Sequence, residues 1–389
     1  MASGGAAVAA AILLGAARSL AGLCGPFTDV SDVAFCPFVL EIFYLGITTG
    51  TTATTYDPTS PVTRLQMAAF LSRSVDSALK RGSRRTALNQ FWVPQGGLAL
   101  AQTTVQFGAG PMAFDGIDLW VASSADSTLL QVRPSDGRIL ATWTADSANG
   151  LLAALGKIFV TGYDSNVFSG LFFMIDPSLG SPGGFATLVS SSLPFAPSVI
   201  AYDGSRFWTS GAGTVSMLTP TASPPWTVTT ATAGFLGPSG LIYDGANVWA
   251  ADPGNLSTDP GRLLKLDSSA AILQTITVGK GPGPLLFDGA SIWVPNFGSD
   301  SISVVRSSSG VLLQTLTGNG MSKPSAVAFD GERVLVADFG NDKVSLWKAA
   351  DLTPLGSFSV GAGSQPTGAC SDGINFWVTF FGTPTLQRF

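Results

Sequence analysis

Pro284-Leu-Leu-Phe-Asp-Gly-Ala-Ser-Ile-Trp-Val-Pro-Asn-Phe-Gly-Ser-Asp-Ser-Ile-Ser-Val-Val-Arg306 is the stretch on which the fold turns. Two apolar runs flank Asp288-Gly289, and a glycine that tolerates positive φ between such runs is the strongest short-range signal of a β-hairpin. The same phrase occurs at Ala113-Phe-Asp-Gly116 before Leu119-Trp-Val121 and at Ala201-Tyr-Asp-Gly204 before Phe207-Trp208. It returns at Ile242-Tyr-Asp-Gly245 before Val248-Trp-Ala250, and at Ala328-Phe-Asp-Gly331 before Val334-Leu-Val336. Cys370-Ser-Asp-Gly373 before Phe376-Trp-Val378 is the last copy, and Leu155-Gly156 before Ile158-Phe-Val160 is a degraded one. The glycines at 116, 156, 204, 245, 289, 331 and 373 are separated by 40, 48, 41, 44, 42 and 42 residues.

Working outward, each step holds four strand-like runs; in the quoted copy they are 284–287, 291–295, 301–306 and 311–317. Four short antiparallel strands every 40–45 residues is the spacing of a β-propeller. Trp120, Trp208, Trp249, Trp293 and Trp377 fall on the second strand, where a large ring fills the wedge between neighbouring blades. The seventh copy stops one strand short at Phe389, while Ala101-Gln-Thr-Thr-Val-Gln-Phe107 stands unpaired before the first. That orphan should complete the last blade and leave the ring without a dangling edge. The expectation is a mainly β chain: a seven-bladed propeller over 101–389, closed by an N-terminal strand. Trp293-Val-Pro-Asn-Phe-Gly298 followed by Leu313-Gln-Thr-Leu-Thr317 resembles the YVTN-type repeat of surface propellers and, more distantly, streptogramin lyases and NHL-type propellers.

The composition agrees. Of 389 residues, 46% are apolar and 12% charged, with 46 Gly and 24 Pro, which is too apolar for disorder and too rich in Gly and Pro for a helical bundle. Net charge is −5, and residues beyond 85 carry 13 Lys and Arg against 20 Asp and Glu. Such a surface repels phosphate backbones, so no nucleic-acid partner is expected. Lys80, Arg81, Arg84 and Arg85 form the one basic cluster and read as a helix end leading into a linker at 86–100.

The N-terminal segment reads differently. Residues 1–21 resemble a signal peptide: an apolar core from Gly5 to Ala17, then Ser19-Leu20-Ala21 with small residues where cleavage requires them. No other segment is long enough to span a bilayer, so the expected location is extracellular, at the cell surface. In an oxidising compartment Cys24 and Cys36 are a candidate disulfide; the alternative is two buried thiols. Cys370 fills a slot held elsewhere by Ala113, Ile242, Leu286 and Ala328, that of a small apolar residue.

Residues 27–85 read as a small module of two helices around a Gly/Thr-rich loop. The first runs from Val33 to Leu45 and stops at Gly46. The second opens after Pro61, capped by Thr63 or Ser60, with Leu65, Ala68, Leu71, Val75 and Ala78 forming an apolar stripe. Phe27-Thr-Asp-Val30, Leu45-Gly-Ile-Thr48, Tyr56-Asp-Pro58 and Val62-Thr-Arg-Leu-Gln-Met-Ala-Ala-Phe-Leu71 resemble an S-layer homology (SLH) module. Leu65-Gln66 stands where that family has Ala-Glu, and one copy is present. The resemblance implies attachment to cell-envelope polysaccharide with Asp29, Thr63 and Arg64 as contacts. Arg64 at a helix start offers a bidentate fork beside free backbone N–H groups. Bonding of Asp29 and Arg64 within the module is the competing reading.

The chain has no histidine, which removes the commonest general base, the commonest metal ligand and any Ser-His-Asp triad. Streptogramin-lyase-like propellers rely on histidine, so that activity is not carried over. No catalytic residue, metal or cofactor is assigned. Loops between second and third strands carry Asp252, Asn255, Asn296, Asp300, Asp338, Asn341 and Asp342. They are either a ligand-binding or Ca²⁺-binding face or ordinary turn formers, and the loop from Asp252 to Gly261 is the first place to seek a ligand. The expected function is a non-enzymatic surface protein whose propeller is a platform for a protein or carbohydrate ligand. A carboxylate- and metal-dependent lyase or hydrolase is the alternative. A third reading, an intermolecular adhesin, requires an exposed aromatic or apolar patch on the loop face.

Overall fold

The computed structural model describes residues 24, 26–32, 34–44, 47–71, 101–178, 183–194, 196–254 and 260–389. The expected signal peptide, the expected linker at 86–100, the basic cluster, Val33, Leu45-Gly46, Val75, Ala78 and Asn255 lie outside these residues. The chain divides into two compact units, Met1–Trp92 and Val93–Phe389.

In the second unit, the described strands form seven sheets. Blades 1 to 7 begin with the strands Ala109–Phe114, Gly150–Ala154, Ile200–Tyr202, Gly240–Tyr243, Leu286–Phe287, Pro324–Phe329 and Pro366–Ser371. Successive strands within a blade pair antiparallel, as the Asp-Gly hairpins require; Gly116 and Gly289 sit at φ +98° and +97°. Closure is as the orphan strand implies. Ala101–Thr104 lies antiparallel to Thr385–Arg388, with Ala101 opposite Arg388 and Thr104 opposite Thr385. The 48-residue step has a structural outcome that the four-strand pattern does not contain. Its extra residues place Gly184–Phe185 parallel to the outer strand of blade 1, Trp143 opposite Gly184, making that sheet five-stranded.

The five tryptophans of the second strands are fully buried, and each packs on the next blade. Trp120 meets Ile158 and Val160 of blade 2, Trp249 meets Ile292 and Val294 of blade 5, and Trp377 meets Leu119 and Val121 of blade 1. A ring of this size removes 150–250 Å² from water, about 4–6 kcal/mol each as an upper bound. A second device accompanies this packing. Each indole Nε1 donates to the turn aspartate five residues earlier: Trp120 to Asp115 at 2.8 Å, and Trp208, Trp249 and Trp293 to Asp203, Asp244 and Asp288 at 2.7 Å. Trp377 donates to Asp372 at 2.9 Å. The other carboxylate oxygen takes turn amides, as Asp115 does from Ile117 and Asp118. One side chain thus closes the hairpin and satisfies the buried indole.

The two exceptions have physical substitutes. In blade 6 Leu335 occupies the tryptophan slot, and buried Arg333 takes the Asp330 carboxylate through Nε at 2.9 Å and Nη2 at 2.8 Å. Its guanidinium lies 5.4 Å from the Phe376 ring of blade 7. In blade 2, with no turn aspartate, Phe159 needs no acceptor and packs 4.1 Å from Phe207 and 5.9 Å from Trp226.

The first unit has a small core. Phe27 is fully buried against Phe43 and Tyr56, with centroids 5.0 and 5.5 Å away. The first helix, Cys36–Tyr44, covers it, and a disulfide ties Cys36 to Cys24 with Cα atoms 5.4 Å apart. A second helical run covers residues 64–71. Its expected stripe does not face a core: Leu65 is 85% exposed, Ala68 and Leu71 are exposed, and Ala69 and Phe70 are the half-buried residues. The space around Phe27 is filled by the first helix and Tyr56, so the described residues offer the stripe no apolar layer.

Candidate functional site

In the small unit the three candidate residues have different surroundings. Asp29 accepts from the Tyr56 amide at 2.9 and 3.1 Å and from the Asp57 amide at 2.7 Å. Those amides, Tyr56 first, hold its carboxyl below the usual range. Thr63 is the helix cap, and Ser60 is not required. Its Oγ1 accepts from the Gln66 amide at 3.2 Å, and Gln66 Oε1 takes the Thr63 amide at 2.9 Å. This is a capping box, with Gln66 serving where the resembled family has Glu. Arg64 follows as the first helical residue, with its side chain exposed.

On the propeller, the candidates lie at the ends of second strands and in the loops that follow. Asp252 is fully buried, accepts from the Leu236 and Gly237 amides at 3.0 Å each, and pairs with Arg262. Asn296, at the equivalent position of blade 5, is also buried; its Nδ2 donates to Ser301 and Ser303 at 3.2 and 3.0 Å. Asp300 accepts from the Lys323 amide at 2.7 Å. Asp342 accepts from the Gly363 and Gln365 amides at 2.7 and 2.8 Å. Asp252, Asp300 and Asp342 stitch loops to neighbouring backbone, and Asn296 holds two serine hydroxyls. Asp338 is different. It is fully buried, and neither carboxylate oxygen has a hydrogen-bond partner of normal geometry. Burial pushes its carboxyl up to about 8; Ser345, the Ser322 amide and Lys343 oppose the rise, and Asp300 adds to it. Among the described residues, no three Asp, Glu or Cys side chains converge to hold a metal ion.

The central channel contains a cavity of about 410 Å³ walled by all seven blades, among them Gly110, Leu151, Ile200, Leu241, Leu285, Val327 and Gly368. No lining side chain is ionisable. Two lining hydroxyls and a neighbouring one are committed to stitching blades: Ser239 to Pro282 O at 2.6 Å, Ser325 to Pro366 O at 2.7 Å and Thr367 to Ala109 O at 3.3 Å. Cys370 is no nucleophile, since burial, with Asp372 nearby, pushes its thiol up to about 12. The channel can offer shape and neutral hydrogen bonds.

Residues 26–68 match the S-layer homology domain. The propeller is similar in fold to streptogramin B lyase, with 13% identity and a TM-score of 0.59 over 74% of this chain and 98% of that one. Virginiamycin B lyase from Staphylococcus aureus gives 14% identity and 0.58 over 74% and 97%. A chain of a mitotic checkpoint complex gives 10% and 0.60 over 75% and 95%. At these identities the likeness is one of fold. A search among curated proteins finds no match. The chain thus carries a segment, residues 26–68, that matches the S-layer homology domain, and after it a seven-bladed propeller similar in fold to streptogramin B lyase. No helix among the described residues is long and apolar enough to cross a membrane.

Within the S-layer homology domain, the contacts separate Asp29 and Thr63, spent on internal bonds, from outward-facing Arg64. In the propeller, the reading from sequence missed the Asp–Trp tether, whose signal is the fixed five-residue step between the two. It also missed that Asp338 stands apart from the other loop carboxylates.

Proposed function

We propose that this is an exported cell-surface protein, attached to envelope polysaccharide through its S-layer homology domain and carrying the propeller as a non-enzymatic binding platform. The observation that carries this reading is the match of residues 26–68 to that domain. Arg64, exposed where a helix begins, is the polysaccharide contact; Asp29 and Thr63 hold the loop and helix start that present it. The cavity lining without ionisable groups supports binding over acid–base chemistry. The test is fractionation of cells, followed by binding of the full chain and its Arg64→Ala variant to isolated wall material. Wall-associated protein whose binding drops with Arg64→Ala is expected. Recovery wholly in the cytoplasm, or equal binding by both, would overturn the reading.

The alternative, a carboxylate-dependent lyase or hydrolase, has one observation in its favour: Asp338 is buried, unpartnered and titrates high, as a general acid would. Against it stands the channel lining, which offers no ionisable side chain, because such chemistry needs an acid and a base at one reacting atom.

A further inference from the structure

Blades 5, 6 and 7 begin the loop after their second strand with the same dipeptide: Phe297-Gly298, Phe339-Gly340 and Phe381-Gly382, 42 residues apart. Each is fixed in the same way to the connector that enters its blade. Phe297 and Gly298 amides donate to Gly281 and Lys280 carbonyls at 2.9 Å; Phe339 and Gly340 to Lys323 and Ser322 at 3.2 and 3.0 Å. Phe381 and Gly382 donate to Gln365 and Ser364 at 2.9 and 3.0 Å. The approach is closest at the later two glycines, where a Cβ at Gly340 would lie 2.5 Å from Ser322 Oγ and one at Gly382 would collide with the Gly363 carbonyl. The backbone that carries each ring is therefore pinned to the connector. Phe297 is 39% and Phe381 59% exposed, and Phe339, half-buried, lies 5.8 Å from Phe297.

At the same place in three successive blades an apolar ring thus stands at the surface, exposed in Phe297 and Phe381 and half-buried in Phe339, outside the buried second-strand residues that fill the core. Exposed Asp300 and half-buried Asp342 accept backbone amides of neighbouring connectors, while the Lys280 and Lys323 side chains are exposed with no such tie, the Lys323 ammonium 5.8 Å from the Phe297 centroid. We propose that the Phe297–Phe339–Phe381 arc, with Lys280 and Lys323, binds a linear acidic polysaccharide. Aromatic faces stack on the C–H faces of successive sugar rings, and the lysines meet carboxylate substituents. A ligand of repeating units fits a surface that repeats blade by blade; a folded protein partner would need one continuous apolar area instead. This deepens the platform reading of the propeller and does not involve Arg64.

The test is affinity electrophoresis of the full chain in gels containing polygalacturonate or, as neutral control, dextran. Retardation by polygalacturonate alone is expected. It should weaken by about tenfold or more in Phe297→Ala/Phe339→Ala/Phe381→Ala and lose its salt sensitivity in Lys280→Gln/Lys323→Gln. Unchanged thermal unfolding of the surface variants shows that they fold. No retardation, equal retardation by dextran, or undiminished retardation of the triple variant overturns the proposal. So does binding to phosphatidylglycerol vesicles in place of the polymer. Wall attachment that needs Arg64, without polygalacturonate retardation, sinks this inference while leaving envelope attachment intact.

Discussion

Replacing Asp338 by Asn should stabilise the protein at pH 8 and barely affect it at pH 4. An unfolded carboxyl titrates near 3.8, whereas the folded Asp338 holds its proton to about pH 8. Below pH 4 both states are protonated and the residue is neutral to folding. From there to about pH 8 the unfolded chain releases a proton that the folded chain keeps, so wild-type stability falls as pH rises and levels off above. At about 1.36 kcal/mol per pH unit, the full span amounts to an upper bound on the order of 5 kcal/mol, roughly 4 of it between pH 5 and 8. The protein supplies a precedent for the substitution. Asn296 occupies the same position in blade 5 and donates to Ser303, and Ser345, the blade 6 counterpart of Ser303, has no hydrogen-bond partner of normal geometry. Guanidinium denaturation of the two proteins at several pH values, followed by tryptophan fluorescence, measures the difference. With no histidine in the chain, few side chains titrate across that window. Parallel stability profiles for wild type and Asp338→Asn from pH 5 to 8 would refute the reasoning.

Other expectations follow from the same contacts. Asp244→Ala removes the acceptor of the buried Trp249 indole and should lower unfolding free energy by about 1–3 kcal/mol, with Trp249→Phe in that background recovering part of the loss. Arg333→Ala removes the guanidinium from the buried Asp330 carboxylate and should cost about 3–5 kcal/mol, readable as a lowered denaturation midpoint; the charge-free pair Asp330→Asn/Arg333→Leu should cost less. Reduction or Cys36→Ser should destabilise the small unit by about 3 kcal/mol, seen as earlier proteolysis of that part while the propeller transition stays put.

The propeller was legible because its cause is local and repeated: a Gly turn in all seven blades, preceded by Asp in six of them, and one wedge residue on each second strand. Closure was readable from strand arithmetic, since a lone strand at 101–107 and a blade short of one can only meet. The extra pairing of Gly184–Phe185 was not, because two residues without alternation carry no period. The helix stripe misled for a related reason. Spacing reports that Leu65 and Leu71 share a side, not that anything lies opposite it. Among the site residues, Thr63 was readable as a cap from its position after Pro61. The internal clamp of Asp29 was not, because its partners Tyr56 and Asp57 are 27 and 28 residues away and use backbone amides, which any sequence supplies. The loop aspartates looked alike in sequence; only burial separates Asp338 from Asp300 and Asp342.

The pairing of Ala101–Thr104 with Thr385–Arg388 also decides how the ring meets mechanical load. Tension arriving from the N-terminal side enters the propeller at Ala101, and its first resistance is the four residue pairs of that seam. A pull along the strand must break them together; a pull across it peels them singly, beginning at Ala101 opposite Arg388. Once they part, the last blade loses its outermost strand. The joint that tension from that side meets first is therefore the one that made the circle complete.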